Sequence, residues 1–186
     1  MILGLDISTS CTGVAVVGLS QELVASSAID LSKIKCKFEK ADKVRFHIDH
    51  YLSEHNISHI CIEQNLQAFR PGFSSAGTIC TLAQFNGTIQ YICRELSGMI
   101  PVEINVNTAR KAVGFKANRK LSKTTKEQVF EHVTRHLERL DSSFCWPLRK
   151  LKSGPRKGQE TYAKGCTDIA DAYVIGVAAL SILNIS

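Results

Sequence analysis

A chain of 186 residues that is 44% hydrophobic and 22% charged has enough apolar material for one domain with a sizeable core, and is too balanced for a disordered or fibrous class. Its net charge of +6 is unevenly spread: residues 1–103 carry 8 Lys/Arg against 10 Asp/Glu, whereas residues 104–186 carry 15 against 7. Such segregation implies a basic face for a polyanion rather than general solubility. The seven cysteines are odd in number and include no Cys-x-x-Cys pair, which argues against a zinc site and for a reducing intracellular compartment such as the cytoplasm. Cys61, Cys80 and Cys93 lie in apolar stretches and are expected as small core residues. No apolar run reaches the ~18 residues of a membrane span, and a strand begins at once, so neither a span nor a signal peptide is expected.

Residues 2–7, 13–19 and 22–29 read as three short strands in an antiparallel meander. Over 39–55, Val44, Ile48, Tyr51 and Leu52 share one helical stripe. His59 to Glu63 predict a fourth strand, reached through that helix by a mostly parallel connection. Residues 64–77, rich in Gly, Ser and Pro, predict a loop carrying Phe69, Arg70 and Phe73. A helix is expected over 78–97, with Ile79, Leu82, Ala83, Ile89 and Ile92 facing either the core or a partner. Val102 to Val106 predict a fifth strand, followed by helices over 107–113 and 122–140. Residues 145–165 form a long polar segment, and an apolar helix runs over 167–183. The order βββαβαβα predicts one α/β domain over 1–186, a mixed five-stranded β-sheet flanked by α-helices.

Four carboxylates stand where these segments end or begin. Asp6 closes the first strand, Glu63 closes Ile60-Cys61-Ile62-Glu63, and Asp168 and Asp171 share one face at the start of the last helix. Taken singly, Asp6 reads as a turn residue, and the last two as acids suited to a helix dipole. Glu63, ending a buried strand, is costly without a partner. Gathered at one point, the four would repel unless cations stood between them. Magnesium prefers such sites, taking its other ligands from water and phosphate. A two-metal phosphodiester hydrolase is the chemistry the set suggests. Arg110, Lys111, Lys116, Arg119, Lys120, Lys123 and Lys126 follow one another without a single acid between, the pattern of a phosphate-contacting surface. His132 and His136, an i,i+4 pair with no further ligands in pattern, are either a metal pair or a solvated helix face.

These residues resemble the RuvC-type Holliday junction resolvases of the RNase H-like (retroviral integrase) superfamily, over nearly the whole chain and in the family's order. The opening Gly-x-Asp-x5-Thr-Gly is Gly4-Leu-Asp6-Ile-Ser-Thr-Ser-Cys-Thr12-Gly13, and the second carboxylate lies in Ile62-Glu63-Gln64. Leu82-Ala-Gln-Phe-Asn-Gly87 echoes the next helix, Thr108-Ala-Arg-Lys-Ala-Val-Gly114 and Lys126-Glu-Gln-Val the lysine-bearing region, and Asp168-Ile-Ala-Asp171-Ala172 the last motif. Ile7-Ser8 replaces the Pro-Gly of bacterial members. With the basic insertion at Arg149, Lys150, Lys152, Arg156, Lys157 and Lys164, this is closer to phage and viral members.

The resemblance implies an RNase H-like fold and a structure-selective endonuclease that resolves four-way DNA junctions by metal-dependent paired phosphodiester hydrolysis. It implies two Mg²⁺, or Mn²⁺, held by Asp6, Glu63, Asp168 and Asp171, with Lys126 neutralising phosphate charge. It also implies a homodimer placing two sites on opposite strands, with helix 78–97 as either its interface or an ordinary core helix. Branched DNA is expected to meet Phe69, Arg70, Phe73, Arg110, Lys111, Lys116, Arg119, Lys120, Lys123, Arg156 and Lys157. The family's stacking Phe is absent, since Leu66 stands in its place, and either Phe69 or Phe73 takes the wedge role or both pack inward. The basic insertion is either a disordered tether or a junction-binding arm. Rival functions are an RNase H-like nuclease acting on other DNA or RNA, and a non-catalytic branched-DNA-binding module. A sugar-kinase or actin-like ATPase would need two such domains.

Overall fold

The computed structural model describes residues 1–64, 75–118, 120–141 and 144–185. Three strands open the chain, β1 (Ile2–Asp6), β2 (Cys11–Val17) and β3 (Leu23–Asp30), followed by α1 (Lys37–Glu54) and β4 (His59–Glu63). Next come α2 (Ala76–Ser97), β5 (Val102–Ile104), α3 (Val106–Ala112) and α4 (Thr125–Leu140). A small hairpin, β6 (Leu148–Lys150) and β7 (Glu160–Tyr162), leads into α5 (Cys166–Ile182).

The main sheet is mixed and five-stranded, in the order β3-β2-β1-β4-β5. β1 to β3 form the antiparallel meander, while β4 and β5 run parallel to β1. Helices cover both faces. Leu3, Leu5, Val14, Val16, Ile60 and Ile62 pack toward Val44, Ile48 and Ile89 of α1 and α2. Ile2, Ala15, Val17 and Cys61 pack toward the opposite layer, where α4 supplies Val129, Val133 and Leu137 and α5 supplies Tyr173 and Ala178. This is why β1, β2 and β4 read as near-continuous apolar runs, as strands buried on both faces do.

α5 is the centre of the second layer, with every residue from Ile169 to Leu180 buried. Glycine lets it lie almost on the sheet. A Cβ at Gly4 would meet the carbonyl oxygen of Ala172 at 2.2 Å, and one at Gly176 would meet Val17 Cγ2 at 2.7 Å.

Caps decide the element ends where the sequence reading differs. Asn105 caps α3, its side chain accepting from Asn107 and Thr108 N–H, so β5 stops at Ile104 rather than Val106. Thr124 and Glu127 form a reciprocal capping box, so α4 starts at Thr125 rather than 122. Ser75 caps α2 two residues before its expected start. The polar segment 145–165 holds the β6–β7 hairpin and a buried Trp146, neither of which its composition announces. Among the cysteines expected in the core, Cys61 and Cys93 are buried, but Cys80 is exposed on the outer side of α2. No helix among the described residues is long and apolar enough to cross a membrane.

Candidate active site

Strand register places the first two acids together. The parallel pair sets Leu5 against Ile62, so Asp6 and Glu63, one residue further, leave adjacent strands side by side. Neighbouring strands lie about 4.8 Å apart. The third and fourth acids come from above. A Cβ at Gly13, which pairs with Asp6, would stand 2.0 Å from the carbonyl oxygen of Asp168, so the first turn of α5 rests directly on β2. That contact hangs Asp168 beside Asp6, and Asp171 follows one turn on.

Lys126, at the start of α4, reaches into this group. Its Nζ lies 2.6 Å from Asp168 Oδ1, 3.4 Å from Asp171 Oδ2 and 3.9 Å from Asp6 Oδ2. Burial opposes charge on this ammonium, but the hydrogen bond to Asp168 and the charges of Asp6 and Asp171 outweigh it and raise its pKa. The acids are under the opposite pressure. Burial first, then Glu63 and Asp171, hold Asp6 well above its ordinary carboxylate range. Burial and Asp171 raise Glu63, and burial raises Asp171 against the pull of Lys126 and Arg110. Four carboxyl groups thus meet two cations, Lys126 and Arg110, which leaves room for further positive charge.

Whether a divalent cation suits these residues is a question of donor chemistry. Among the described residues, no three His, Cys, Asp or Glu side chains stand at metal-ligand spacing. The Lys126 ammonium holds the central place instead, with carboxylate oxygens around it. Hard oxygen donors converging on a cation fit Mg²⁺ or Mn²⁺. Asp6, Glu63, Lys126 and Asp168 line one open cleft of about 280 Å³, together with Ser8, Ser10 and Asn86.

Two site residues have roles that sequence pattern did not reveal. Arg110, expected on a DNA-contacting surface, is instead turned inward, its Nη2 3.7 Å from Asp171 Oδ1 and its side chain 22% exposed. Its Nε is buried and has no hydrogen-bond partner among the described residues. Helix α3 packs against α5, which commits Arg110 to the acids. Asn86, 2% exposed, donates from Nδ2 to the Glu63 carbonyl at 3.2 Å and accepts from Gln90 Nε2, which also donates to Glu103 at 2.7 Å. This polar chain ties the end of β4 to α2. An Asn inside an otherwise apolar stripe was the available signal.

The other residues singled out divide three ways. Lys111, Lys116, Lys120 and Lys123 are exposed, Lys123 in an ion pair with Glu131. Arg156 and Lys157 are exposed in the loop of the β6–β7 hairpin. Leu66, Phe69, Arg70, Phe73 and Arg119 lie outside the described residues. On α2, Ile89 and Ile92 are buried together with Phe85, whereas Ala83 faces outward. His132 is bonded through Nε2 to the Val113 carbonyl at 3.0 Å, and it packs edge-on against Phe115.

No family model and no curated protein matches the chain. Solved structures do. Thermus thermophilus RuvC in complex with a Holliday junction substrate is 15% identical, with a TM-score of 0.65 over 100% of this chain and 95% of that one. A second structure of Thermus thermophilus RuvC is 16% identical, with a TM-score of 0.62 over 98% and 96%. The yeast mitochondrial Holliday junction resolvase Ydc2 is 12% identical, with a TM-score of 0.50 over 95% of this chain and 76% of that one. The fold of this chain is therefore the RNase H-like fold of the RuvC resolvases, spanning it from end to end.

Proposed function

We propose that the protein is a divalent-metal-dependent endonuclease that resolves four-way DNA junctions. One observation carries this reading: on a RuvC-like fold, three separate elements bring Asp6, Glu63 and Asp168 to a single cleft, with Asp171 held against the same Lys126 ammonium. Those four residues would hold Mg²⁺ or Mn²⁺, two per site. A divalent cation there supplies Lewis acidity toward a phosphodiester and a water of lowered pKa. Lys126, held charged by its aspartates, turns its ammonium toward a phosphate oxygen when DNA enters. Arg110 positions Asp171, and Asn86 fixes the strand end that carries Glu63. Lys111, Lys116 and Lys120, with Arg119 in the same run, form the neighbouring phosphate-contacting surface. The protein works in a reducing compartment.

A four-way junction is nearly two-fold symmetric, which suits a C2 dimer. We assign its interface to the outer stripe of α2, formed by Cys80, Ala83, Gly87 and Tyr91, all exposed. A Cβ at Gly87 would meet nothing within 4 Å, so a second copy of the helix has room to approach.

A synthetic mobile four-way junction separates this reading from its rivals. The protein with Mg²⁺ should cut it into paired nicked duplexes, and should cut linear duplex and RNA–DNA hybrid much less. Asp6→Asn should bind the junction and leave it uncut, because affinity rests on the basic residues. Cleavage by Asp6→Asn at the wild-type rate would overturn the site assignment.

A further inference from the structure

The β6–β7 hairpin is a built arm rather than a tether. Its base is held to α4 by edge-on and tilted ring contacts. Tyr162 meets Phe130 at 5.0 Å, Trp146 meets Phe130 at 5.2 Å, and Trp146 Nε1 donates to Thr134 Oγ1 at 2.8 Å. The Ala163 N–H extends the ladder to the Pro147 carbonyl at 2.8 Å. Its tip is also fixed. Leu151 and Gln159 are bonded at 3.0 Å, Gly158 N–H donates back to Leu151, and Lys157 N–H donates to Gly154. Gly154 at φ +82° and Gly158 at φ +86° hold left-handed positions that other residues adopt with strain.

On this scaffold Arg149, Lys150, Lys152, Arg156 and Lys157 are all exposed, and among the described residues none of the five is in an ion pair. Five cations against the single acid Glu160 on one element attract a polyanion, and the hairpin grips phosphates rather than reading bases. Position decides which phosphates. The second strand runs through Lys164, paired with Asp30 at 3.1 Å, and Gly165 straight into the turn of α5 that carries Asp168. From that base the hairpin extends four to six residues to its tip, roughly 15–20 Å at strand rise. Lys152, Arg156 and Lys157, toward the tip, are therefore too far out to serve the scissile phosphate, whereas Arg149 and Lys150 stand in β6 nearer the base. A duplex is about as wide as that reach, so an adjoining arm falls within it. We infer that the hairpin grips a duplex arm other than the one being cut and so supplies the preference for branched over linear DNA. This rests on the junction-resolving function proposed above.

The test is binding without cleavage, by fluorescence anisotropy in EDTA. A four-way junction and a linear duplex of one arm's sequence would be titrated across a salt series. The variant replaces Arg149, Lys152, Arg156 and Lys157 with Ala, all surface changes, and a companion carries Arg149→Lys and Arg156→Lys. The alanine variant should lose about tenfold or more in junction affinity, and its log–log salt slope should fall by about 3–4, near 0.9 per phosphate contact. Duplex affinity should change less than about threefold, and the lysine companion should bind both like wild type. Equal loss on junction and duplex would make the hairpin a general DNA contact and overturn the inference. Unchanged junction affinity and slope would overturn it too. If wild type itself shows no preference for the junction, the proposed function fails first, before the hairpin is at issue.

Discussion

Lys126 and the three aspartates around it show how the site is balanced before any ligand arrives. The folded protein holds protons on Asp6, Glu63 and Asp171 more tightly than the unfolded chain does, because their pKa values are raised above 3.8 and 4.5. Their contribution to stability is therefore full below that ordinary range and is lost as pH rises through the raised values. Without divalent cations, stability should fall from about pH 4 toward neutrality. Asp6→Asn should flatten that fall and gain roughly 0.5–2 kcal/mol at pH 7, the scale of a single stabilising change at a functional site. Urea midpoints at pH 4 and pH 7 check it, since an equal gain at both would mean the acid is not under charge strain. Lys126→Met should act in the opposite sense, costing about 1–2 kcal/mol at pH 7. That is less than a fully buried pair, because 43% of the lysine side chain is exposed. Added Mg²⁺ should recover more stability in this variant than in wild type, which thermal melts with and without the cation would show. All four acids were legible as strand-end and helix-start residues. Arg110 was not, because in sequence it is one cation in an acid-free run, and only the packing of α3 on α5 separates it from its neighbours.

At the scale of elements, the approach of α5 to β1 and β2 delivers Asp168 to the strand-end acids. Gly13→Ala would force a Cβ to within 2.0 Å of the Asp168 carbonyl oxygen, a backbone atom that no rotamer change relieves. The expected cost is about 1–3 kcal/mol or more, as for other overpacked sites. Cleavage should fall further than stability, because the shift is applied at the turn that carries Asp168. A variant that folds and cuts as wild type does would show that the helix tolerates lifting. The long elements were readable because their periods repeat: alternating or continuous apolar runs for the strands, and Val44, Ile48 and Tyr51 for α1. The short ones were not. β6 and β7 are three residues each and carry no period, and the Trp146 anchor that orders them is a single aromatic in a polar segment, docked on Thr134 and Phe130 of α4.

For the whole molecule, the uneven charge and the exposed outer stripe of α2 set apart the two faces proposed above for DNA and for a second copy. A glycine within an exposed helix costs about 1 kcal/mol relative to Ala, so Gly87 is held there at some expense to the helix. Gly87→Arg should improve α2 as a helix while blocking close approach of a second copy. If the proposed dimer forms through α2, sedimentation velocity should show a dimer for wild type and a monomer for the variant, with thermal stability measured at high dilution no lower. A dimer that survives the substitution would place the interface elsewhere.

α5 is buried without a break from Ile169 to Leu180, and Asp171 lies inside that stretch. A site borne on loops can loosen by itself, with small local openings that leave the core untouched. Asp171, inside the buried stretch, has no such partial opening available. It separates from Asp6 when the sheet gives up its central helix, so its place lasts as long as the native state and is lost with it, all at once.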